Sequence, residues 1–232
     1  ISLAGALKQL TILGNRVTAE AGVMLGHMVR RCLAAKLAGL ERLAGIPGTV
    51  GGAIVMNAGA FDAEISTHLT AVTVVDHSGR ERIYSREEMA FGYRSSGLQQ
   101  QEIIISADFQ LPRGRTEQVK RAHRHAARER RARQPLTKRS AGSVFKNPRP
   151  DLAAGWLIDQ AGLKGTAIGD AQISTKHANF FINQGAATAE DMAQLIKLAA
   201  RTVRERFDVM LEMEIKTLGF PPNYWEEVGI DG

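Results

Sequence analysis

With 232 residues, 44% of them hydrophobic and 23% charged, the chain can bury one large core or two small ones and lies outside the composition of disordered proteins. No apolar run reaches the roughly 18 residues of a membrane-crossing helix. A single cysteine excludes an internal disulfide and a cysteine-based zinc site.

Ile1 to Leu10 show no basic leader and no small-residue cleavage site, and read as mid-domain sequence that has lost an N-terminal portion. "NRVTAEAG" predicts a strand entering a glycine turn. In "VMLGHMVRRCLAAKLAG", Leu25, Met28, Val29, Cys32, Leu33 and Leu37 recur near helical spacing, with Gly39 as the expected C-cap. Cys32 falls on the apolar side of this pattern and reads as core, which points to a reducing, cytoplasmic setting.

"GIPGTVGGAIVMNAGA" carries Gly45, Gly48, Gly51, Gly52 and Gly59. Glycines admit positive φ and bring backbone amides close to a ligand. The run lacks the strand–GxGxxG–helix frame of a dinucleotide site. Composition alone fits a packed turn-and-strand region as well as a cofactor loop.

"LTAVTVVDHSGRERIYS" predicts two strands around a glycine-containing turn, and "EIIISADFQL" another strand. "FGYRSS" between them sets Arg94 beside Tyr93, and arginine is the side chain best shaped to clamp a carboxylate. A hinge near Pro112 to Thr116 divides the chain into expected domains 1–114 and 115–232.

A long helix is expected over Thr116–Arg133, with Thr116 as N-cap and Pro135 ending the pattern. From Thr116 to Ser140 there are nine Lys or Arg against two acidic residues, so this segment accounts for the net charge of +6. Nucleic-acid binding on such a surface calls for interleaved aromatics, and the segment has none.

"SAGSVFKNP" follows, with Ser143 after Gly142 and Lys146 and Asn147 close behind. A turn hydroxyl is the plain reading. No histidine or aspartate stands near it in a nucleophile motif, so Ser143 suits proton donation better than Ser–His–Asp hydrolysis. "AAGWLIDQAGLKG" predicts a short helix stopped by Gly162 or Gly165, and "AQISTKHANFFIN" a strand pair or a bent strand. "TAEDMAQLIKLAARTVRERFDV" is the clearest helix, with Thr188 and Asp191 in capping-box spacing and an apolar stripe from Met192 to Phe207. "MLEMEIKTLGF" alternates as a strand, which would put Glu212 and Glu214 on one face. The six histidines show no metal-ligand spacing.

Taken in order, "AGIPGTVGGAIVMNAGAF", "YRSS", "SAGSVFKNP", "AGLKG…IGDAQISTKHANFFIN" and "LEMEIKTLG" resemble the UDP-N-acetylenolpyruvoylglucosamine reductases of peptidoglycan precursor synthesis, over essentially the whole chain. The resemblance implies an α+β fold: a vanillyl-alcohol-oxidase-like (PCMH-type) FAD-binding domain, N-terminally truncated, then a C-terminal α/β substrate-binding domain. It implies FAD as cofactor and NADPH as hydride donor. The substrate would be the enolpyruvyl ether of UDP-N-acetylglucosamine, reduced by a cytoplasmic monomer with no nucleic-acid or membrane partner. By position, Arg94, Ser143 and Glu214 match the family's catalytic arginine, proton donor and glutamate. Gly45, Ile46, Pro47, Gly48, Thr49, Gly51, Gly52 and Ala53 match its flavin loop, and Lys146, Asn147 and Gln172 its substrate positions. "YRSSGLQQQEIIISA" runs on without the tyrosine loop of one branch, which places the chain in the shorter branch. The family's pyrophosphate-holding turn would precede Ile1. A basic nucleic-acid-binding module and a fragment unable to hold FAD are the alternatives.

Overall fold

The computed structural model describes residues 3, 5–99, 101–221 and 223–230. They form two units, Ile1–Arg130 and Arg131–Gly232. The division falls within the last turn of the helix that follows the expected 114/115 boundary.

The first unit holds β1 (Leu10–Leu13), β2 (Arg16–Glu20), α1 (Leu25–Ala34), α2 (Val50–Val55), β3 (Gly59–Ala60), β4 (Ala63–Glu64), β5 (Leu69–Val75), β6 (Glu81–Ser85), β7 (Ile103–Gln110) and α3 (Thr116–Arg133). Its main sheet runs β1-β2-β7-β5-β6, antiparallel throughout, and β3 and β4 make a separate two-stranded ribbon. Along β5, Val72 and Val74 alternate inward and Leu69 joins them across a register shift, in one core with Val17, Ala19, Phe109 and the α1 residues Leu25, Met28, Val29 and Cys32. Cys32 is buried, and burial pushes its thiol pKa up to about 11, so it is a packing group rather than a nucleophile.

Two expectations need correction here. The first helix ends at Ala34, not at Gly39, because Lys36 already takes a left-handed φ of 59°. The glycine-rich run contains a helix, α2, which composition gave no reason to expect. Its six residues are too few to be stable alone. Tertiary bonds hold them: Val50 N–H to Val23 O at 2.8 Å, Gly51 N–H to Ala21 O at 2.9 Å, and the Thr49 hydroxyl accepting from Gly52 N–H. Expected helix α3 forms with the predicted bounds and buries Val119 and Ala126, while most of its cations stay exposed.

The second unit holds β8 (Arg139–Ser143), α4 (Ala154–Gln160), β9 (Ala167–Ile168), β10 (Ala171–Ile173), β11 (Phe180–Asn183) and α5 (Ala189–Phe207). Its antiparallel sheet runs β8-β11-β10-β9. α5 packs on β9 and β10 through Leu195, Ile196, Ala199 and Val203, and α4 packs on α5. "AQISTKHANFFIN" is the antiparallel pair β10–β11. The expected strand from Met210 to Phe220 is absent as a regular strand; within it only Met213 bridges another residue, Phe145. The chain turns out of α5 at Asp208 (φ 53°), and beyond the bridge Phe220, Tyr224 and Trp225 pack on one another and against the core of this unit.

The capping box on α5 forms as expected: Asp191 N–H donates to Thr188 Oγ1 at 3.0 Å and Thr188 N–H to Asp191 Oδ2 at 2.8 Å. Thr188→Ala removes one of these bonds and should lower stability by about 1 kcal/mol. Thermal or urea unfolding checks this, and an unchanged midpoint would show that the box contributes nothing.

Candidate active site

In the first unit, the glycine-rich run separates a core side from an open side. Val50, Gly51 and Ile54 are buried; Gly45, Pro47, Gly48 and Gly52 are exposed. A Cβ on Gly51 would sit 2.9 Å from Ala21 Cβ, so that glycine serves close packing against the turn after β2. Gly48 has a φ of 105° and nothing within 4 Å of where its Cβ would lie. Its Cα thus faces open space, while its carbonyl accepts from Leu25 N–H at 3.0 Å. Ile46 is half-buried against the core, and Ala53 belongs to α2 and is buried.

Arg94 lies on a tight turn closed by the Gly92–Ser95 bridge and adopts a left-handed φ of 54°. Its guanidinium lies 4.9 Å from the centroid of the Tyr93 ring, and Nη2 donates to Gly59 O at 3.4 Å. Asn57, 1% exposed, donates its side-chain amide to Glu64 Oε2 at 2.9 Å and to Gly92 O at 3.0 Å. It thus ties the end of the glycine-rich run to the ribbon β3–β4 and to the turn bearing Arg94. Arg130 reaches the same loop: its Cδ lies 2.9 Å from the position of a Cβ on Gly45. Burial, and then the positive charge of Arg94, lower the Arg130 pKa. Neither Asn57 nor Arg130 was singled out by motif; their contacts span 35 and 85 positions.

In the second unit, the segment Val144–Lys146 is held on both edges. On one edge, Glu214 N–H donates to Val144 O and Lys146 N–H to Glu212 O, both at 2.8 Å, around the Phe145–Met213 bridge. Lys146 Nζ also pairs with the Glu212 carboxylate. Val144–Lys146, directly after Ser143, and Glu212–Glu214 thereby form one two-segment ladder although about 70 residues separate them in sequence. On the other edge, Ser143 is in register with Phe180 and Val144 N–H donates to Asn179 O at 2.9 Å.

The remaining expected positions have structural partners. Asn147 Oδ1 accepts from Ala154 N–H at 3.1 Å, at the start of α4. Gln172 on β10 donates to Gly165 O at 3.1 Å and accepts from the Gln184 amide, whose own oxygen accepts from Lys138 Nζ at 2.9 Å. Register places Gln172 across β11 from Ser140. His177, between the two halves of the β10–β11 pair, accepts from Asn179 N–H on Nδ1 at 3.3 Å. Burial, assisted by Lys164, lowers its pKa, so it is neutral at pH 7.

Among the described residues no group of three or more His, Cys, Asp or Glu could hold a metal ion, and no helix is long and apolar enough to cross a membrane.

Residues 1–84 match the profile of an FAD binding domain, and residues 134–218 match the UDP-N-acetylenolpyruvoylglucosamine reductase, C-terminal domain. The chain is 42% identical over 207 residues to the UDP-N-acetylenolpyruvoylglucosamine reductase of Clostridium novyi (strain NT), covering 89% of this chain and 67% of that protein. It is 43% identical over 215 residues to the reductase of the same name from Caldanaerobacter subterraneus subsp. tengcongensis, covering 92% and 71%. The crystal structure of the UDP-N-acetylenolpyruvylglucosamine reductase from Thermus caldophilus superposes with a TM-score of 0.77 at 40% identity, over 89% of this chain and 73% of that one.

Proposed function

This chain belongs to the UDP-N-acetylenolpyruvoylglucosamine reductase family, and on that premise we propose that it reduces the enolpyruvyl ether of UDP-N-acetylglucosamine to UDP-N-acetylmuramate. It is a flavin-dependent oxidoreductase of peptidoglycan precursor synthesis that uses FAD and NADPH. The reading includes a monomer working in the cytoplasm. Residues 1–114 carry the cofactor and 115–232 the sugar nucleotide.

The first unit fits a flavin. Gly45, Pro47, Gly48 and Gly52 are exposed, no atom lies within 4 Å of a Cβ position on Gly48, and the cation Arg130 lies against Gly45. Gly45 to Thr49 and Gly51 to Ala53 would hold the ring system. Bound FAD, reduced by NADPH, supplies a hydride to the methylene carbon of the enolpyruvyl double bond.

The protein handles the charge and the proton. As the methylene carbon takes the hydride, the electron pair of the double bond moves towards the substrate carboxylate. Arg94 stabilises the charge developing there, and Glu214 orients the same group. Ser143 Oγ gives its proton to the adjacent carbon, completing the lactyl ether, and the resulting alkoxide is reprotonated from solvent. Lys146, three residues after Ser143 and paired with Glu212, is read as a cation for the substrate. Asn147 and Gln172 line the sugar-nucleotide side.

The observation that supports this reading is the 2.8 Å bond from Glu214 N–H to Val144 O, which brings the Glu214 main chain beside the residue that follows Ser143. The test is coupled turnover by the flavin-loaded enzyme. One NADPH should disappear for each UDP-N-acetylmuramate formed; NADPH consumed without lactyl product would overturn it.

A further inference from the structure

We propose that Asn179 is a positioning residue for proton delivery: its side chain fixes the backbone on which Ser143 stands. The proposal rests on the reading of Ser143 as proton donor.

Little packs on the N-terminal side of Ser143. Gly142, immediately before it, has a φ of 92° and nothing within 4 Å of its Cβ position, so no packing restrains that side. The strand β8 ends at Ser143 itself, and the register shifts between Phe180 and Ile182 on the neighbouring strand. A serine at a strand end behind an unpacked glycine, with nothing more to hold it, would deliver its proton over a range of directions. Proton transfer needs a hydrogen-bonded approach, so that range matters.

The structure restrains the other side instead. Five consecutive main-chain groups after Ser143 are hydrogen-bonded: Val144 N–H and O, Phe145 N–H and O, and Lys146 N–H. Asn179 takes three of them. Its main-chain O accepts from Val144 N–H at 2.9 Å, its Oδ1 from Phe145 N–H at 3.0 Å, and its Nδ2 donates to Phe145 O at 2.8 Å. The side-chain amide thus stands in for one peptide unit and continues the β8–β11 ladder by one residue. Asn179 is 3% exposed and Phe145 1%, so water does not compete for these bonds. The Phe145 ring is locked edge-on to Phe181 at 6.1 Å. Glu212 and Glu214 hold the opposite edge. Asn179 therefore helps to set the relation between Ser143 and Glu214 without needing to touch substrate.

The experiment separates this role from plain stability. Asn179→Ser, Asn179→Asp, Ser143→Ala and Ser143→Ala/Asn179→Ser are compared in the flavin-loaded enzyme by rapid mixing. Reduction by NADPH and oxidation by the enolpyruvyl sugar nucleotide are read separately. Asn179→Ser should slow oxidation of the reduced enzyme at saturating substrate by about 100-fold, the scale of a misplacement near 1 Å. Reduction by NADPH and substrate affinity should stay within about twofold, because neither uses the proton. Added to Ser143→Ala, the same change should cost almost nothing further, since the misdirected group is already gone. Asn179→Asp keeps the shape, and its protonated carboxyl can donate to Phe145 O as Nδ2 does, so its oxidation rate should recover as the pH falls.

Three results would overturn the proposal: Asn179→Ser oxidising at the wild-type rate, its two half-reactions falling together, or a multiplicative loss in the double variant. Should Ser143→Ala itself oxidise at the wild-type rate, the proton-donor reading falls and this proposal with it.

Discussion

Ser143→Ala should be reduced by NADPH at the wild-type rate and then fail to pass its electrons on, with oxidation by the enolpyruvyl sugar nucleotide slowed by about 10²–10⁴-fold, the usual worth of a positioned general acid. The asymmetry follows from where the proton is needed. Flavin reduction by NADPH involves no carbon protonation on the substrate, whereas formation of the lactyl ether does. Folding should be nearly untouched. Ser143 pairs with Phe180 through its backbone, and Val144 and Phe145, not Ser143, fill the core of the second unit. Unfolding midpoints and the two half-reaction rates, measured on one preparation, check this. Equal losses in both half-reactions would show damage to the flavin site rather than to proton delivery.

Arg94→Gln should lower the oxidative half-reaction by about 10²–10³-fold, the cost typical of removing one donor aimed at developing negative charge. Arg94→Lys should recover only part of this, because lysine keeps the charge but loses the planar fork that fits a carboxylate. The position itself is specialised. Arg94 holds a left-handed φ of 54° on its turn, lies over Tyr93, and reaches Gly59 O, so its guanidinium is fixed from several directions. Arg130 nearby retains positive charge in the variant, and relief from Arg94 should raise its depressed pKa. Single-turnover rates at saturating substrate distinguish a lost transition-state contact from weakened binding. A rise in KM with an unchanged maximal rate would reassign Arg94 to substrate holding alone.

The elements most legible in the sequence were those whose local signals agree. Helix α3 forms over Thr116–Arg133 as predicted, and α5 starts behind the Thr188–Asp191 box that its spacing announces. The hairpin β5–β6 and strand β7 follow their alternation. Elements that depend on distant partners were not legible. Helix α2 is glycine-rich and short, and exists because Ala21 and Val23 take its first amides. Strand β1 sits in a stretch with little period and is held by pairing with β2. The alternating run after Met210 resembles a strand, yet its pairing is confined to Glu212–Glu214 around the single bridge at Met213.

The site divides in the same way. The order of the glycine-rich run, the Tyr-Arg pair, the serine loop and the terminal glutamate points to the chemistry. The side chains that hold those groups in place do not announce themselves. Asn57 and Asn179 each act on residues 34 or more positions away, and both read in sequence as ordinary polar residues beside a glycine-rich or aromatic stretch. Asn147 and Gln172 carry local structural bonds as well, so their part in holding substrate must coexist with capping α4 and bridging to Gly165.

The most direct test is a single turnover without oxygen. Enzyme reduced by one equivalent of NADPH is mixed with the enolpyruvyl ether of UDP-N-acetylglucosamine while flavin absorbance is followed. The oxidised spectrum should return as one equivalent of UDP-N-acetylmuramate appears. A flavin that stays reduced, or that reoxidises without lactyl product, would contradict the assignment.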